Sequence, residues 1–187
     1  MFQIIARREL ASNIKLLRVY APNIAEKAKP GQFVIIRVDD KGERFPLTLV
    51  DWEREKGVIS FILQEVGVST RKLGTLHVGE EIHDILGPLG NPSEIEPHSP
   101  VAVVGGGVGM ATAYPIARAL KELGDTVISI VGARNKDLIL LEEQMKNVSD
   151  EFYVATDDGS RGCKGFVSDV LRRLIDNGHP LDFVYAV

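Results

Sequence analysis

The sequence has a single cysteine, Cys163, in 187 residues. One thiol excludes an intrachain disulfide, and it excludes any iron–sulfur or zinc site whose four thiolate ligands come from this chain alone. The four histidines also lack the spacing of metal ligands; they are His77, His83, His98 and His179. We therefore expect no metal site, and the scarcity of cysteine fits a reducing compartment.

An excess of basic residues and a long apolar run are also missing. The net charge of −4 gives no electrostatic footprint for nucleic acid. The longest uncharged stretch, residues 99–117, contains four glycines, Pro100 and Pro115, which argue against a membrane span. Arg7 and Arg8 follow the apolar N-terminal residues, the reverse of the order in a secretory signal. We expect a cytoplasmic protein with no nucleic-acid partner and no membrane span.

The length and composition suit two globular domains. A chain of 187 residues accommodates two domains of roughly a hundred residues each. Hydrophobic residues make up 44% and charged residues 26%, which is the balance of a folded chain and not of a disordered one. Residues 91–100 carry three prolines and few apolar side chains, as a linker does. The sequence therefore predicts domains at residues 1–97 and 98–187.

The first domain is predicted to be a six-stranded antiparallel β-barrel. Apolar residues mostly alternate with polar ones up to about residue 90, and turn residues separate the short runs. Six short strands imply a closed barrel or a sandwich. One short helix, capped by Ser69 or Thr70, is predicted before the last strand. The strands are predicted at residues 2–8, 12–20, 32–39, 45–52, 57–65 and 81–86.

The second domain is predicted to be a parallel-sheet α/β fold. Strands at residues 101–104, 126–131, 152–156 and 182–187 alternate with helices at residues 109–123, 138–147 and 165–177. Strict alternation predicts right-handed crossovers around a parallel sheet. Such domains normally have five or more strands, so four strands predict a domain that is truncated at its C-terminus. Phe183, Val184 and Val187 would then need cover from further residues or from another chain.

A glycine-rich loop joins the first strand of this domain to its helix. Backbone N–H groups of such a loop approach a phosphate closely, and the helix N-terminus adds partial positive charge. Met110 stands where the third glycine of the common G-x-G-x-x-G fingerprint would fall. A tight turn without a ligand is the alternative, although four glycines exceed what a turn needs. The loop consists of Gly105, Gly106, Gly107, Val108 and Gly109.

Two further loops follow predicted parallel strands. Arg134 follows the second strand, where nucleotide-binding sheets select between a ribose hydroxyl and a 2′-phosphate. It is a candidate partner of a 2′-phosphate or else an exposed surface arginine. Asp157, Asp158 and Gly159 follow the third strand, at the edge where ligands collect, and the alternative there is an Asp-Gly turn.

The pentapeptide Arg44-Phe45-Pro46-Leu47-Thr48 begins a predicted barrel strand. Pro46 removes a backbone donor and favours a strand start or an edge. By composition alone the pentapeptide identifies no ligand. Phe45, although inside this motif, is more typical of barrel core.

The pentapeptide resembles the signature of the ferredoxin–NADP⁺ reductase superfamily. The resemblance implies that Arg44 binds the FAD pyrophosphate and that Phe45 belongs to the same site. It further implies that Pro46, Leu47 and Thr48 line the isoalloxazine ring, with Thr48 beside the flavin N5. Because the cofactor carries the chemistry, no acid–base catalyst is assigned.

The resemblance continues along nearly the whole chain. Residues 87–90 resemble the element that closes the barrel, and the loops at residues 105–109, 132–134 and 157–160 resemble the nucleotide-domain landmarks in order. Within the superfamily, the chain is most similar to the electron-transfer subunits of dihydroorotate dehydrogenase, sulfide dehydrogenase and NADH-dependent ferredoxin:NADP⁺ oxidoreductase. The remaining FAD-binding residues implied by the resemblance are Ile62, Leu63 and Gln64 beside the ribityl and adenosine, and Gly67, Val68, Ser69 and Thr70 beside the pyrophosphate.

The resemblance implies an FAD-dependent NAD(P)H oxidoreductase that moves a hydride between NAD(P)H and FAD. Electrons would then pass to a larger flavoprotein or iron–sulfur subunit, or to ferredoxin. Any [2Fe–2S] cluster would be bound by residues absent from this chain. The choice between NAD and NADP stays open, as do two alternatives, a non-catalytic nucleotide-binding regulatory or assembly module and a free-standing flavin reductase.

Overall fold

The computed structural model describes residues 2–187, which form two compact units. The first unit extends to Ser93 and the second is Glu94–Val187. The predicted boundary lies a few residues further on, after residue 97. The assignment of FAD to the first part and of a nicotinamide nucleotide to the second remains a prediction.

The first unit is an antiparallel sheet with two short helices. The sheet order is β6-β1-β2-β5-β4-β3-β7. Helix α1 (Pro22–Lys27) and helix α2 (Val68–Thr75) both pack on β5. The strands are β1 (Phe2–Ala11), β2 (Ile14–Tyr20), β3 (Phe33–Arg37), β4 (Arg44–Glu53), β5 (Val58–Gln64), β6 (Glu81–Ile82) and β7 (Asp84–Leu89).

The two edge strands of this sheet are consecutive in the sequence and are separated only by His83. β6 pairs with β1, and β7 pairs with β3, both antiparallel. One bent segment therefore joins the two edges of the sheet and nearly closes a barrel. The predicted six-stranded barrel is confirmed, with its sixth strand divided at His83.

Alternating side chains of the strands fill the barrel. Fully buried residues from four different strands meet there, including Ile4, Leu17, Leu49 and Phe61. Strand β5 departs from alternation, since all residues from Val58 to Leu63 are buried. The buried residues of α1 and α2, such as Ile24 and Leu73, belong to the same core cluster as the inward-facing residues of β5.

Helix α1 was not predicted. It has six residues, begins with Pro22 at its first turn and buries Ile24 and Ala25. A segment this short shows less than two turns of the helical period, so the sequence pattern does not reveal it. The predicted cap of α2 is also corrected, because Gly67 is the N-cap residue and the Thr70 hydroxyl accepts the Gly67 N–H at 3.0 Å.

The second unit is a parallel sheet with three helices among the described residues. The sheet order is β11-β10-β9-β8-β12, and every pairing is parallel. Strands β8 and β9 are almost wholly buried, as central parallel strands are. The elements are β8 (Val101–Gly106), α3 (Met110–Glu122), β9 (Val127–Ala133), α4 (Glu142–Asn147), β10 (Glu151–Thr156), β11 (Cys163–Lys164), α5 (Val167–Asp176) and β12 (Phe183–Ala186).

Two predictions for this unit are wrong in detail. The sheet has five described strands and not four, because Cys163–Lys164 pairs with the end of β10 and is too short to show a period. The helix predicted at residues 138–147 begins only at Glu142. A 3₁₀ turn precedes it, and Leu141, with a left-handed φ of 55°, separates the two.

Strand β12 lies at one edge of this sheet. Phe183, Val184 and Val187 are 41%, 36% and 53% exposed. The ring of His98 stacks on Phe183 with 4.5 Å between centroids, and the Tyr185 hydroxyl donates to the carbonyl of Glu94 at 2.5 Å. The segment that was predicted as a linker is therefore attached to this edge strand. No helix of residues 2–187 is both long enough and apolar enough to cross a membrane.

Ile4 and Ile5 provide a matched test of the barrel core. They are neighbours on β1, yet Ile4 is fully buried and Ile5 is 39% exposed. We expect Ile4→Ala to lower the free energy of unfolding by about 2–5 kcal/mol through lost burial and a cavity. Ile5→Ala should cost about 1 kcal/mol or less. Urea unfolding followed by circular dichroism measures both, and equal losses would contradict the described register of β1.

Candidate functional site

Three rows of side chains cross strands β4, β3 and β7. Directly opposed residues of antiparallel strands point to the same face of a sheet, so each row is a local cluster. The first row is charged, the second is apolar, and the third combines a hydroxyl with apolar side chains. The rows are Arg44–Arg37–Asp84, Pro46–Ile35–Leu86 and Thr48–Phe33–Leu89.

The alternation of β4 divides the predicted FAD-binding pentapeptide between two faces. Phe45 and Leu47 pack against the barrel core, so their side chains turn away from the outer surface. Arg44, Pro46 and Thr48 occupy the outer positions. The rise of an antiparallel strand places Arg44 and Thr48 about 13 Å apart. Only three of the five predicted side chains therefore line one accessible face.

The charged row carries two guanidinium groups and one carboxylate. Nη1 of Arg44 donates to Oδ2 of Asp84 at 2.7 Å. This hydrogen bond holds the pKa of Asp84 below its usual range. Nη2 of Arg37 lies 2.6 Å from Nε2 of His83. Nε of Arg37 is shielded from solvent and has no hydrogen-bond partner. The row has a net positive charge that suits a phosphate.

A cavity of about 330 Å³ lies beside the start of α2. One wall comes from the connection between β3 and β4 and the other from α2. The lining residues are Val38, Asp39, Lys41, Gly42, Glu43, Val68, Ser69 and Lys72. The N–H groups in the first turn of a helix have no intrahelical acceptor. Among the predicted residues, Gly67, Val68, Ser69 and Thr70 therefore lie at or beside a cavity that can hold an anion.

The predicted residues of β5 are mostly inaccessible. Ile62 is 5% exposed and Leu63 is fully buried, whereas Gln64 is exposed at the end of the strand. Of these three side chains, only Gln64 can reach a ligand on the surface. Ile62 and Leu63 could contribute their backbone groups alone.

The structure explains some, but not all, of the glycines in the loop after β8. A Cβ on Gly105 would lie 2.8 Å from Sδ of Met110, so Gly105 allows α3 to pack closely on β8. Gly107 has a φ of +53°, which favours glycine. Gly106 is extended and exposed, and a Cβ there would meet only the carbonyl oxygen of Gly132, at 3.7 Å. Neither packing nor backbone conformation therefore requires glycine at position 106.

The loops at the carboxyl ends of the parallel strands form one edge. Because β9 and β12 lie on opposite sides of β8, the strand order reverses beside β8, where ligands of such sheets bind. Gly106 ends β8 and Gly107 follows it, Arg134 follows β9, and Asp157 follows β10. The structure brings the predicted nucleotide residues together at this edge.

The charged side chains of this edge differ in whether they form hydrogen bonds or ion pairs within the structure. Within residues 2–187 the structure gives the exposed Arg134 guanidinium no hydrogen bond or ion pair. The carboxylate of Asp158 accepts the N–H and the hydroxyl of Ser160, at 2.9 and 2.6 Å, and these bonds lower its pKa. Asp158 with Gly159, whose φ is +78°, therefore forms a local turn, whereas the structure gives the side chains of Arg134 and Asp157 no partner within residues 2–187.

The sequence did not indicate Arg37, Asp84, Asp39 or Lys72. These residues join the site through strand pairing and helix placement, and each is far in sequence from its partner. No local motif marks them. Residues 2–187 contain no group of three or more His, Cys, Asp or Glu side chains placed to hold a metal ion.

Comparison with known proteins finds relatives of one kind in both sequence and structure. No protein-family model matches the chain. It is 44% identical over 185 residues to the dihydroorotate dehydrogenase B (NAD⁺) electron transfer subunit homologue of Thermotoga maritima, with 99% of this chain and 65% of the relative covered. It is 35% identical over 190 residues to the dihydroorotate dehydrogenase B (NAD⁺) electron transfer subunit of Bacillus cereus, with 98% of this chain and 71% of the relative covered.

One solved structure is similar in both sequence and fold. It is an NADH-dependent reduced ferredoxin–NADP oxidoreductase studied for flavin-based electron bifurcation, with a TM-score of 0.95 and 41% identity. The match covers 100% of this chain and 67% of that chain. The chain thus spans about two thirds of the length of the relatives that it matches.

The register partners Gly106 and Gly132 test the nucleotide edge. We expect Gly106→Ala to leave stability unchanged but to weaken binding of a nicotinamide dinucleotide about tenfold or more, because the added methyl group keeps a phosphate from the backbone. Gly132→Ala is the control; its Cβ would lie 2.4 Å from Cγ1 of Val167. It should lower stability by about 1–3 kcal/mol through overpacking. Calorimetric titration and thermal unfolding measure these effects, and unchanged nucleotide affinity in Gly106→Ala would contradict the site.

Proposed function

This chain belongs to the ferredoxin-reductase-type family that includes the electron-transfer subunits of dihydroorotate dehydrogenase B, and from this premise we propose its function. On this premise the chain is an FAD-dependent NAD(P)H oxidoreductase subunit. It moves a hydride between NAD(P)H and FAD and then passes electrons to a partner. The first unit would hold FAD, and the carboxyl edge of the parallel sheet would hold the nicotinamide nucleotide.

The observation that carries this proposal is the order of the three rows on the barrel. A net positive row that contains Arg44 suits the pyrophosphate of FAD. Pro46 and Thr48 follow on the same face, about 13 Å along the strand at most, within reach of a flavin ring attached to that pyrophosphate. One end of the face is therefore suited to anionic oxygens and the other to a flat, largely apolar ring.

Each outer side chain of β4 has a proposed role. Arg44 exchanges its hydrogen bond with Asp84 for phosphate oxygens, or shares its guanidinium between the two. Pro46 packs against the ring, and the Thr48 hydroxyl donates a hydrogen bond at the N5 edge. FAD, when bound, accepts two electrons as a hydride and releases them singly. The protein supplies position, charge and exclusion of water.

For the nicotinamide nucleotide we propose that the backbone of Gly106, Gly107 and Val108 binds the pyrophosphate. Arg134 and Asp157 would then lie near the ribose of the adenosine half. The unpaired Arg134 suits a 2′-phosphate, whereas the names of the relatives include NAD⁺, NADH and NADP. A titration with both nucleotides decides between them.

The electron acceptor is proposed to be another protein. The relatives are named as electron transfer subunits, which supports a larger flavoprotein or iron–sulfur subunit, or ferredoxin, as the partner. Cys163 alone cannot hold a [2Fe–2S] cluster, so any such cluster would need ligands from outside these residues. We place the complex in the cytoplasm, in keeping with a sequence that has one cysteine.

The test is to add FAD to the purified protein and then NADH or NADPH without air. We expect stoichiometric FAD binding and loss of the oxidised flavin absorbance with at least one nucleotide. Bound FAD that neither nucleotide reduces would favour a non-catalytic binding module. Rapid turnover with small acceptors and no protein partner would favour a free-standing flavin reductase. Absence of FAD binding would contradict the proposal.

Arg44→Ala is expected to weaken FAD binding. The substitution removes a charge-assisted hydrogen bond of about 1.5–3 kcal/mol, which corresponds to roughly ten- to a hundredfold in affinity. Arg8→Ala is the control, since Arg8 is exposed on β1, a strand that pairs with neither β3 nor β4. Fluorescence quenching of FAD measures both affinities. Equal dissociation constants for the two variants would rule out the assignment of Arg44.

Thr48→Val is expected to slow flavin reduction while FAD stays bound. The variant keeps the shape of the side chain but lacks its donor, so the rate should fall about three- to tenfold for one lost hydrogen bond. Thr48→Ser restores the hydroxyl and should recover most of the rate. Anaerobic stopped-flow reduction with saturating nucleotide measures the effect. A Thr48→Val protein that is reduced as fast as the parent would leave Thr48 without this role.

A further inference from the structure

The cavity beside α2 contains an ion pair at its wall. The ammonium of Lys72 contacts Oδ2 of Asp39, and the two side chains are 54% and 28% exposed. Both residues line the cavity, and so does Glu43, the residue before Arg44. One residue of the cavity wall is therefore the direct sequence neighbour of Arg44 in the charged row of the proposed FAD site.

The position of Lys72 in α2 places its ammonium near the first turn of the helix. It is the fifth residue of this helix, and helical side chains lean towards the N-terminus over the preceding turn. Val68 and Ser69, in that preceding turn, line the same cavity. The Lys72 ammonium, the Ser69 hydroxyl and the free N–H groups of the turn are all hydrogen-bond donors, and they converge on one space.

Asp39 supplies the anion that Lys72 contacts in this structure. Oδ1 of Asp39 accepts the N–H of Lys41 at 3.0 Å, which fixes the carboxylate within the turn between β3 and β4. The Lys72 ammonium beside Asp39 lowers the pKa of that carboxyl. Exposed ion pairs are weak, so an anion with greater charge can replace this carboxylate.

The charges around the cavity are two lysines and two carboxylates, Lys41, Lys72, Asp39 and Glu43. We propose that Lys72 is a second phosphate-binding cation of the FAD site, and that Asp39 competes with the phosphate for its ammonium. The inference rests on the proposed function and adds two residues to it. Lys72 and Arg44 then share one arrangement. Each is paired with a carboxylate, Asp39 and Asp84 respectively, before the dinucleotide binds.

The first test compares two variants that remove one positive charge from the same helix. Lys72→Met removes the proposed contact, whereas Arg71→Met removes the charge of its exposed neighbour outside the cavity wall. We expect FAD affinity to fall about three- to tenfold in Lys72→Met and less than about twofold in Arg71→Met. The difference should shrink at high salt, because the contact is ionic. Dissociation constants of FAD within a factor of two of each other for these variants would overturn the inference.

The second test uses Asp39→Asn, which keeps the acceptor for the Lys41 N–H but removes the competing charge. If Asp39 competes with phosphate, this variant should bind FAD about two- to fivefold more tightly, opposite in direction to Lys72→Met. If the pair only stabilises the fold, both variants should weaken binding and lower the midpoint of thermal unfolding together, and the inference fails. A parent protein that binds no FAD would refute the proposed function as well; a parent that binds FAD with unchanged affinity in Lys72→Met refutes only the role of Lys72.

Discussion

The burial of one face of β4 is the constraint on which the candidate site depends. Phe45, Leu47 and Leu49 must face the barrel core, so Arg44 and the residues that alternate with them must face outward. A shift of the strand by one residue would exchange the two faces completely. The register that stabilises the core therefore also fixes which side chains of β4 lie on the outer face.

The sequence predicted what local patterns determine. Alternation predicted the barrel strands, apolar runs between helices predicted the parallel sheet, and the glycine loop predicted its turn. Sequence reasoning failed where an element is short, as in α1 and β11, and where a residue acts through pairing at long range. Arg37 meets Arg44 and Asp84 only because β3 lies between β4 and β7, and no motif encodes that order. Likewise, a local resemblance implied Ile62 and Leu63 without showing that their side chains are buried.

The paired charges give the two cations of the proposed FAD site a common property. Each is already oriented by a carboxylate, Arg44 by Asp84 and Lys72 by Asp39. A cation held in this way loses less side-chain freedom when a phosphate binds, which favours affinity. The same carboxylates repel the phosphate, which opposes affinity. Both effects are ionic, so in the proposed site FAD affinity would depend on ionic strength.

The closure of the barrel by one bent segment has a consequence for the charged row. β7 is the last strand of the first unit, and it supplies both the second edge of the barrel and Asp84. A chain that lacks β6 and β7 has β1 and β3 as open edges, and Arg44 and Arg37 are then opposed without Asp84. The pairing of β7 with β3 therefore completes the sheet and at the same time supplies the carboxylate that pairs with Arg44.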